Sequence, residues 1–451
     1  MLMTESTGLD MVCASNGAMV AWGCTVDHFL SHDKETPVSL ARALQADPDC
    51  ALAWCAKGLF TMLLARAELT GAAEDALARA EASIRVRGAT ARERCYAEAL
   101  RNTTQGSFVG AIAALEAVLD DHPRDSLAAK LSHSLRFMLG DNRGMRESIE
   151  RVVARAGLDH PHLGYLLGCL SFALEETGAY QEAERLGHRA LERAPRDAWG
   201  VHAVAHVHEM TGRPGLGADF LASRTGSFEH CNNFGYHVFW HLALFRLELG
   251  DLVGALVLYD EHVRAEKTDD FRDVANAVSL LMRLEIAGVG AGPRWDELGA
   301  IASRRIADRS LVFASLHYTL ALIGAGRCDA ARELTVGLSK GGLVGDQATV
   351  ASEIGVPVAA ALTAFGEARY DEAAQGLLSV RPKLRRIGGS NAQRDLFDQV
   401  LIEAAVRAGL KQQAAALLSE RLGSRGANRF AVERLERLAI GSFRREARVY
   451  S

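Results

Sequence analysis

The sequence predicts an all-α protein, a solenoid of helix hairpins wound into a right-handed superhelix with a partly enclosed concave lumen. The chain has 451 residues, more than one compact domain usually holds, which indicates either several domains or a repeat array whose core grows along its length. Hydrophobic residues make up 49% of it and aromatic residues only 6%, a balance typical of helices packed through Ala and Leu. Regularly spaced turn glycines favour the array.

The repeat is clearest between residues 164 and 195. Gly178 allows the turn between two helices, Ala183 lets the second helix approach the first closely, and Pro195 ends the second helix. This order is typical of the 34-residue helix–turn–helix unit of tetratricopeptide arrays. Successive turn glycines lie 34, 38, 34 and 38 residues apart. They are Gly106, Gly140, Gly178, Gly212 and Gly250, and Gly326 and Gly409 mark further units.

The array is predicted to run as one structural unit from residue 37 to residue 451. Residues 1–36 are less regular and end near Pro37, which is typical of a capping helix region that shields the end of a solenoid. Two polar stretches rich in Gly and Asn, at 224–235 and 383–395, are predicted to be long loops.

The charge balance and the cysteines indicate which classes of partner to expect and in which cellular compartment the protein is found. Lys and Arg total 51 against 56 Asp and Glu, and no basic run is long enough to follow a phosphate backbone, which argues against nucleic acid. The sequence has neither a signal-like N-terminus nor about 18 uninterrupted apolar residues, so no membrane partner is expected. Eight cysteines without CxxC pairs fit a reducing compartment, and we expect a cytoplasmic protein. Homo-oligomer formation stays open.

Five titratable side chains are predicted to share the concave face. His202, His206 and Glu209 occupy places 5, 9 and 12 of their repeat when Gly212 is place 15, and places of this kind face inward in tetratricopeptide arrays. Their i, i+4, i+7 spacing puts them on one helical stripe. His237 and His241 repeat the i, i+4 spacing in the next unit. The two neighbouring helices are therefore expected to present imidazoles to a common space.

Three interpretations of these residues stay open. They act on a small ligand through hydrogen bonds and proton transfer, they hold a divalent metal, or they form interhelical hydrogen bonds and peptide contacts. No cofactor is required by the sequence. If a metal is present, its ligands are His202, His206, His237 and His241.

The segment GGSNAQRD at 388–395 combines a free backbone with donors and acceptors of every kind. Arg394 is a candidate clamp for a carboxylate or another anion. The alternative is that Ser390 or Asn391 merely caps the helix that follows. Both interpretations stay open at this point.

Several long motifs carry a family resemblance. They are DAWGVHAVAHVHEM at 197–210, the H-x-x-W-H of His237, Trp240 and His241, LYDEH at 258–262, and GGSNAQRDLFDQVLIEAA at 388–405. With these stretches the chain resembles tetratricopeptide repeat protein 38 and its bacterial relatives, from about Ser15 to about Arg437. The resemblance implies an α-helical repeat fold and a cytoplasmic or otherwise soluble protein, and it carries over no reaction.

The resemblance also implies a correspondence of polar residues along the chain. Phe239 and Glu403 depart from the family pattern, which leaves the identity of a ligand open. The corresponding residues are His202, His206, His208, Glu209, His237, Trp240, His241, Tyr259, Asp260, His262, His317, Asn391, Gln393, Arg394 and Asp395.

The leading hypothesis from the sequence is a pocket in the lumen that binds a small polar molecule, for example a carboxylate. If the protein is an enzyme, the pocket transforms this molecule by acid/base chemistry of the hydrolase or lyase type. The candidate acid/base residues are His202, His206, Glu209, His237 and His241. The candidate ligand-binding residues are Trp240, Asp260, His262, His317, Asn391, Gln393, Arg394 and Asp395. The competing hypothesis is a protein-interaction scaffold that binds a peptide or a partner helix in its concave groove.

Overall fold

The computed structural model describes residues 1–340, 345–426 and 428–449, with side chains up to residue 439. Residues 341–344, 427, 450 and 451 of the predicted array lie outside the described part. The described chain is an all-α solenoid preceded by a small hairpin of β1 (Leu2–Thr4) and β2 (Asp10–Val12). The α-helices are α1 Asn16–Leu30, α2 Thr36–Ala46, α3 Ala51–Met62, α4 Thr70–Arg87, α5 Ala91–Thr104, α6 Phe108–Asp121, α7 Ser126–Leu139, α8 Asn142–Ala156, α9 Leu163–Glu176, α10 Tyr180–Arg193, α11 Ala198–Met210, α12 Pro214–Ala222, α13 Phe234–Glu248, α14 Leu252–Leu258, α15 Phe271–Ile286, α16 Arg294–Arg304, α17 Val312–Gly324, α18 Cys328–Ser339, α19 Asp346–Val350, α20 Val356–Gly366, α21 Tyr370–Val380, α22 Asn391–Arg407, α23 Lys411–Arg425 and α24 Arg429–Val449.

In the central repeats the two helices of a hairpin differ in burial, which shows that they belong to two layers. Inner helices such as α9, α11 and α15 are buried along nearly their whole length, including their polar residues. Their outer partners, such as α8 and α10, bury one apolar stripe and expose the opposite face. A helix that is buried all round lies inside a protein, whereas an amphipathic one covers its surface. The inner layer therefore surrounds the lumen.

The turn glycines act as the sequence predicts. Gly106, Gly140, Gly178, Gly212, Gly250, Gly326 and Gly409 all have φ between 66° and 84°, the left-handed region that glycine adopts without a steric penalty. Gly288, with φ of 92°, continues the same series. Ala368 takes this conformation at the turn before α21, with φ of 60°. The tetratricopeptide-like register is thus confirmed over most of the chain.

Later repeats return to contact earlier ones, which encloses the lumen. The carbonyl oxygen of Gly106 accepts a hydrogen bond from the Asp346 N–H at 3.1 Å, across 240 positions of sequence. The Asn391 N–H donates to Glu176 Oε1 at 2.7 Å. Similar contacts join residues 32 and 232, 66 and 269, 248 and 429, and 286 and 434. The superhelix is therefore closed by contacts between its successive coils.

Two loop predictions are refined by the structure. Residues 383–395, predicted as a long loop, contain part of the 3-10 turn Arg381–Ile387 and the first residues of α22. The helix begins early because Ser390 caps it, with its side chain and that of Gln393 each bonding to the other's backbone N–H. Residues 224–235 include the short 3-10 turn Thr225–Ser227 and the beginning of α13. The division between residues 36 and 37 falls at the start of α2 and stays a prediction.

Within the described part of the chain, one helical stretch, Asp346–Gly366, is long and apolar enough to cross a membrane by length and composition alone. Of the 18 most apolar consecutive residues in this stretch, 61% are buried inside the protein. A buried core helix of a globular protein can be equally long and apolar. The stretch is therefore weak evidence for a membrane span.

Substituting Gly140 tests the contact between coils. An alanine Cβ at this position would overlap the Arg385 carbonyl oxygen, whereas one at Gly178 meets nothing within 4 Å. Both glycines have positive φ, so both alanine variants should lose roughly 1–2 kcal/mol of unfolding free energy from the backbone alone. Gly140→Ala should lose about 1–3 kcal/mol more because of the overlap. Equal losses in urea denaturation of the two variants would contradict the closed superhelix.

Candidate functional site

Four imidazoles from two neighbouring inner helices converge in the lumen. His202 and His206 come from α11, and His237 and His241 come from α13. The Nε2 atom of His202 lies 2.9 Å from the Nε2 of His206 and 2.9 Å from the Nε2 of His237. One ring nitrogen from each of the four lies within 4.8 Å of the others. We call these four residues the histidine cluster.

The ring nitrogens that point away from the cluster face oxygen atoms. His237 Nδ1 lies 2.8 Å from Asn276 Oδ1, and His241 Nδ1 lies 3.0 Å from Glu209 Oε2. His206 Nδ1 lies 3.3 Å from Glu175 Oε2, in an orientation that does not form a hydrogen bond. Glu209, which the sequence places in the cluster, is therefore an outer partner of one of its rings.

Asn276 and Glu175 are absent from the sequence-based candidates. Glu175 stands three residues before Gly178, as Glu209 stands three residues before Gly212. The repeat register contains the signal for Glu175, because both glutamates occupy place 12 of their units. Asn276 of α15 has no comparable signal in the sequence.

Burial sets the protonation of the cluster. It lowers the pKa of His202, His237 and His241 well below 6.5, and the charges of neighbouring imidazoles lower it further. The pKa of Glu175 is raised to about 8, first by burial and then by the charge of Glu209. These three imidazoles are therefore neutral at pH 7, which suits hydrogen bonding or metal ligation better than proton donation.

A cavity of about 600 Å³ lies beside the histidine cluster, and we call it the inner cavity. His202 and His237 form part of its wall, whereas His206 and His241 lie behind them. Its aromatic lining consists of Phe29, Phe60, Phe137, Trp199, Phe234, Phe271 and Phe313. Volume and lining are typical of a pocket for a small organic molecule.

Lys130 is the most unusual charged residue of this cavity and is not among the sequence-based candidates. The residue is only 4% exposed, and its Nζ lies 3.9 Å from the centroid of the Trp199 ring and 3.9 Å from Cys169 Sγ. Among the described residues, no carboxylate oxygen lies within 4 Å of this Nζ. The carboxyl group of Asp197 attracts it without a hydrogen bond.

Three of the other predicted residues lie away from the inner cavity. Trp240 is buried behind the cluster, where its ring stacks on His237 with centroids 5.2 Å apart. Asp260 is exposed and forms an ion pair with Arg294 at 2.6 Å. The His262 ring stacks on Phe239 at 4.0 Å. Asp260 and His262 belong to a π-helical turn that follows the outer helix α14, which explains their separation from the lumen.

His317 is also separated from the cavity. Its Nδ1 lies 2.8 Å from the carbonyl oxygen of Phe313, one turn earlier in α17, and its ring packs against Phe397. The ring is 1% exposed, and burial lowers its pKa to about 4. His317 has the environment of a core histidine.

The four predicted residues at the start of α22 serve different roles. Gln393 lines the inner cavity, and the Asn391 side chain accepts a hydrogen bond from Arg394. The Arg394 guanidinium pairs with Glu176 at 3.2 Å and donates to backbone carbonyls at residues 388 and 389. Arg394 is thus occupied within the protein and does not line the cavity, which argues against its predicted role as an anion clamp.

Asp395 faces a smaller cavity of about 110 Å³. Its carboxylate pairs with Arg421 and Arg425, and their charges lower its pKa despite burial. Glu209 and Arg283 also line this space. The group is a buried ion network between coils.

Replacing His317 tests the pH dependence of a buried imidazole. Because its folded pKa of about 4 lies below the unfolded value, the unfolded chain binds more protons, and the free energy of unfolding falls as pH falls from about 6.5 to about 4. The stability advantage of the wild type over His317→Asn should therefore shrink by about 2 kcal/mol between about pH 7.5 and pH 5. Urea denaturation of both proteins at several pH values measures this. A constant difference would show that the ring titrates normally.

No family model matches the chain. It is similar to the APC/C hetero-tetramer Cut9–Hcn1, with 13% identity over 93% of this chain and 76% of that one and a TM-score of 0.39. It is also similar to a monomeric IFIT1 mutant with Gppp-AAAA, with 14% identity over 97% and 91% and a TM-score of 0.38. For the P58(IPK) TPR domain the identity is 13% over 94% and 99%, with a TM-score of 0.21. These likenesses are too weak to indicate a function, and the fold rests on the helices of the chain itself.

Proposed function

We propose that this chain is a repeat protein that binds a small, partly apolar carboxylate in the inner cavity. The observation that carries the proposal is the buried Lys130 ammonium at the cavity wall, which has no carboxylate oxygen within 4 Å of its Nζ among the described residues. Asp197 attracts it only from a greater distance. Removing a cation from water costs several kcal/mol unless an anion compensates for it. Asp197 compensates for it in part without a hydrogen bond, and a carboxylate bound in the cavity supplies an anion in direct contact.

The other residues that line the cavity are mostly apolar, which indicates that the part of the ligand beyond its carboxylate is apolar. Phe29, Phe137 and Phe234 line the cavity together with leucines on α2 and directly after α3. Of its other cations, Arg272 is held by Asp270 at 2.6 Å, which leaves Lys130 better placed to meet a buried anion. The sequence-based hypothesis of a small polar molecule is thereby narrowed to an amphiphilic one.

The histidine cluster contributes to the same proposal through two of its members. His202 and His237 line the cavity, where their rings contact Phe234 with centroids 5.3 and 5.7 Å away. The sequence-based hypothesis also included acid/base chemistry at these rings. Burial lowers the pKa of both, which makes them poor proton donors at neutral pH and disfavours that part of the hypothesis.

Membership of the tetratricopeptide repeat protein 38 family and a cytoplasmic location are part of this proposal. The long motifs at 197–210 and 388–405 support the first. The eight cysteines, none of which is in a disulfide, support the second.

Substituting Lys130 tests the proposed function. The uncharged Lys130→Met should weaken binding of aromatic and medium-chain carboxylates about 10- to 100-fold, since charge-assisted hydrogen bonds contribute about 1.5–3 kcal/mol. Isothermal titration with a panel of such acids, and native mass spectrometry of the purified protein, measure this loss.

The matched control is Lys57→Met. Lys57 also lines the cavity, but it is exposed and its ammonium lies 4.8 Å from the Trp54 ring centroid. This variant should bind the same acids within about twofold of the wild type. A folded Lys130→Met protein that binds them as tightly as the Lys57→Met protein would refute the proposal.

The second candidate is a protein-interaction scaffold, and the fold alone supports it better than it supports a small-molecule protein. Helical repeat arrays commonly present an extended concave surface to a peptide or a partner helix. A specific observation also favours it: Leu249, Val253 and Val257 around α14 are 50%, 76% and 45% exposed. Apolar side chains in such a row are typical of a contact surface.

The two candidates differ in what remains bound to the protein. A bound mass of a few hundred daltons that is lost in Lys130→Met supports the carboxylate ligand. Capture of a defined protein partner by the wild type, abolished by Val253→Lys with Val257→Lys and unaffected by Lys130→Met, would favour the scaffold instead.

A further inference from the structure

The protein alone does not satisfy the inward-facing nitrogens of the histidine cluster. Two Nε2 atoms that lie 2.9 Å apart need one proton between them, and the Nε2 of His202 has two such neighbours, in His206 and His237. A neutral imidazole that donates from Nε2 donates a single proton there. The Nε2 of His241 is buried and has no hydrogen-bond partner.

The outer partners direct lone pairs toward the centre of the cluster. His241 Nδ1 donates to the Glu209 carboxylate, and His237 Nδ1 donates to the Asn276 amide oxygen. A neutral ring that carries its proton on Nδ1 has a lone pair on Nε2. Both rings therefore point unprotonated nitrogens at the space they share with His202 and His206.

We infer that the histidine cluster binds a divalent transition-metal ion through one ring nitrogen of each of its four members. An ion satisfies several lone pairs at once, which no single proton can do. Four nitrogens around tetrahedral zinc lie roughly 3.3 Å apart, given bonds of about 2.0–2.1 Å. The ring nitrogens of the cluster lie between 2.9 Å and 4.8 Å apart, a range that includes this value. Small movements of the side chains are therefore sufficient to form a tetrahedral site.

The chemistry of the donors selects the class of ion. Imidazole nitrogens suit Zn²⁺, Ni²⁺, Cu²⁺ and Fe²⁺, whereas Mg²⁺ and Ca²⁺ prefer oxygen ligands. Glu209 stands behind His241, and Glu175 stands behind His206. Carboxyl groups in this outer position are typical of histidine metal sites, where they orient the rings.

This inference goes beyond the proposed carboxylate site and does not depend on it. The ion lies behind the wall that His202 and His237 give to the inner cavity, whereas Lys130 contacts the Trp199 ring of that wall. The two sites share the rings of His202 and His237, but Lys130 is not a ligand of the ion, and His206 and His241 do not line the cavity. Substitutions at Lys130 and at His206 with His241 therefore test the two sites separately.

Cobalt titration of the full chain tests the inference. Protein stripped with a chelator and dialysed should take up about one equivalent of Co²⁺, with visible absorption bands of a nitrogen-ligated ion. Zn²⁺ should displace it, and elemental analysis of the unstripped protein should find a transition metal in a similar ratio. Metal binding should also raise the thermal midpoint of the stripped protein.

Variants assign the ligands. His206→Ala with His241→Ala should abolish the cobalt spectrum, whereas His208→Ala should retain it, because His208 lies on the same helix outside the cluster. Glu209→Gln keeps all four ligands and guards against misfolding of the double variant. It should weaken cobalt affinity about 10- to 100-fold.

Two outcomes would overturn the inference. One is a folded, stripped wild type that takes up no Co²⁺ or Zn²⁺, and the other is an equal cobalt spectrum in the cluster variants and His208→Ala. Lys130→Met reports on the other site, because it should lose carboxylate binding and keep the cobalt spectrum.

Discussion

The left-handed turn between paired helices is the constraint on which the rest of this structure depends. A residue with φ near 60–90° reverses the chain within a few positions and so fixes the rotation of the next helix about its axis. Gly212 and Gly250 follow the two helices of the histidine cluster in this way. Because both turns have the same form, α11 and α13 present corresponding faces to the lumen, and residues 35 positions apart become neighbours.

Contacts between successive coils bury charged side chains, and ion pairs between residues distant in sequence compensate for these charges. Glu176 of one coil holds Arg394 of another, and Asp269 holds Arg66 at 3.0 Å across 203 positions. Ion pairs of this kind add little net stability, but a misaligned seam would leave their charges unpaired. They therefore specify how the coils align. Unlike these arginines, Lys130 has no carboxylate oxygen within 4 Å of its Nζ among the described residues, and Asp197 attracts it without a hydrogen bond.

The repeat register explains what the sequence could predict. Turn glycines and small residues at fixed intervals were sufficient for the all-α fold, for the inner helices and for the meeting of the two histidine pairs. The first residues of α22 were also open to prediction, since Ser390 and Gln393 form a local capping pattern.

Contacts between distant repeats were outside the reach of local patterns. Nothing near Arg394 indicates that Glu176, more than two hundred positions earlier, neutralises it. Lys130 resembles any helical lysine until neighbouring coils cover it and place the Trp199 ring beneath its ammonium. The side of Asp260 and His262 could not be predicted for a related reason, because a π-helical turn, which no local pattern indicates, carries them on the outer layer.

The bond between Gly106 and Asp346 distinguishes this array from an ordinary solenoid. In an open array each unit touches only its neighbours, and unfolding can spread unit by unit from an end. Here the seam links units across most of the chain, which raises the entropic cost of forming the native topology and couples distant units. During synthesis, the first hairpins must wait for the later ones to emerge before this seam forms, so the closing contacts are among the last native contacts to be made.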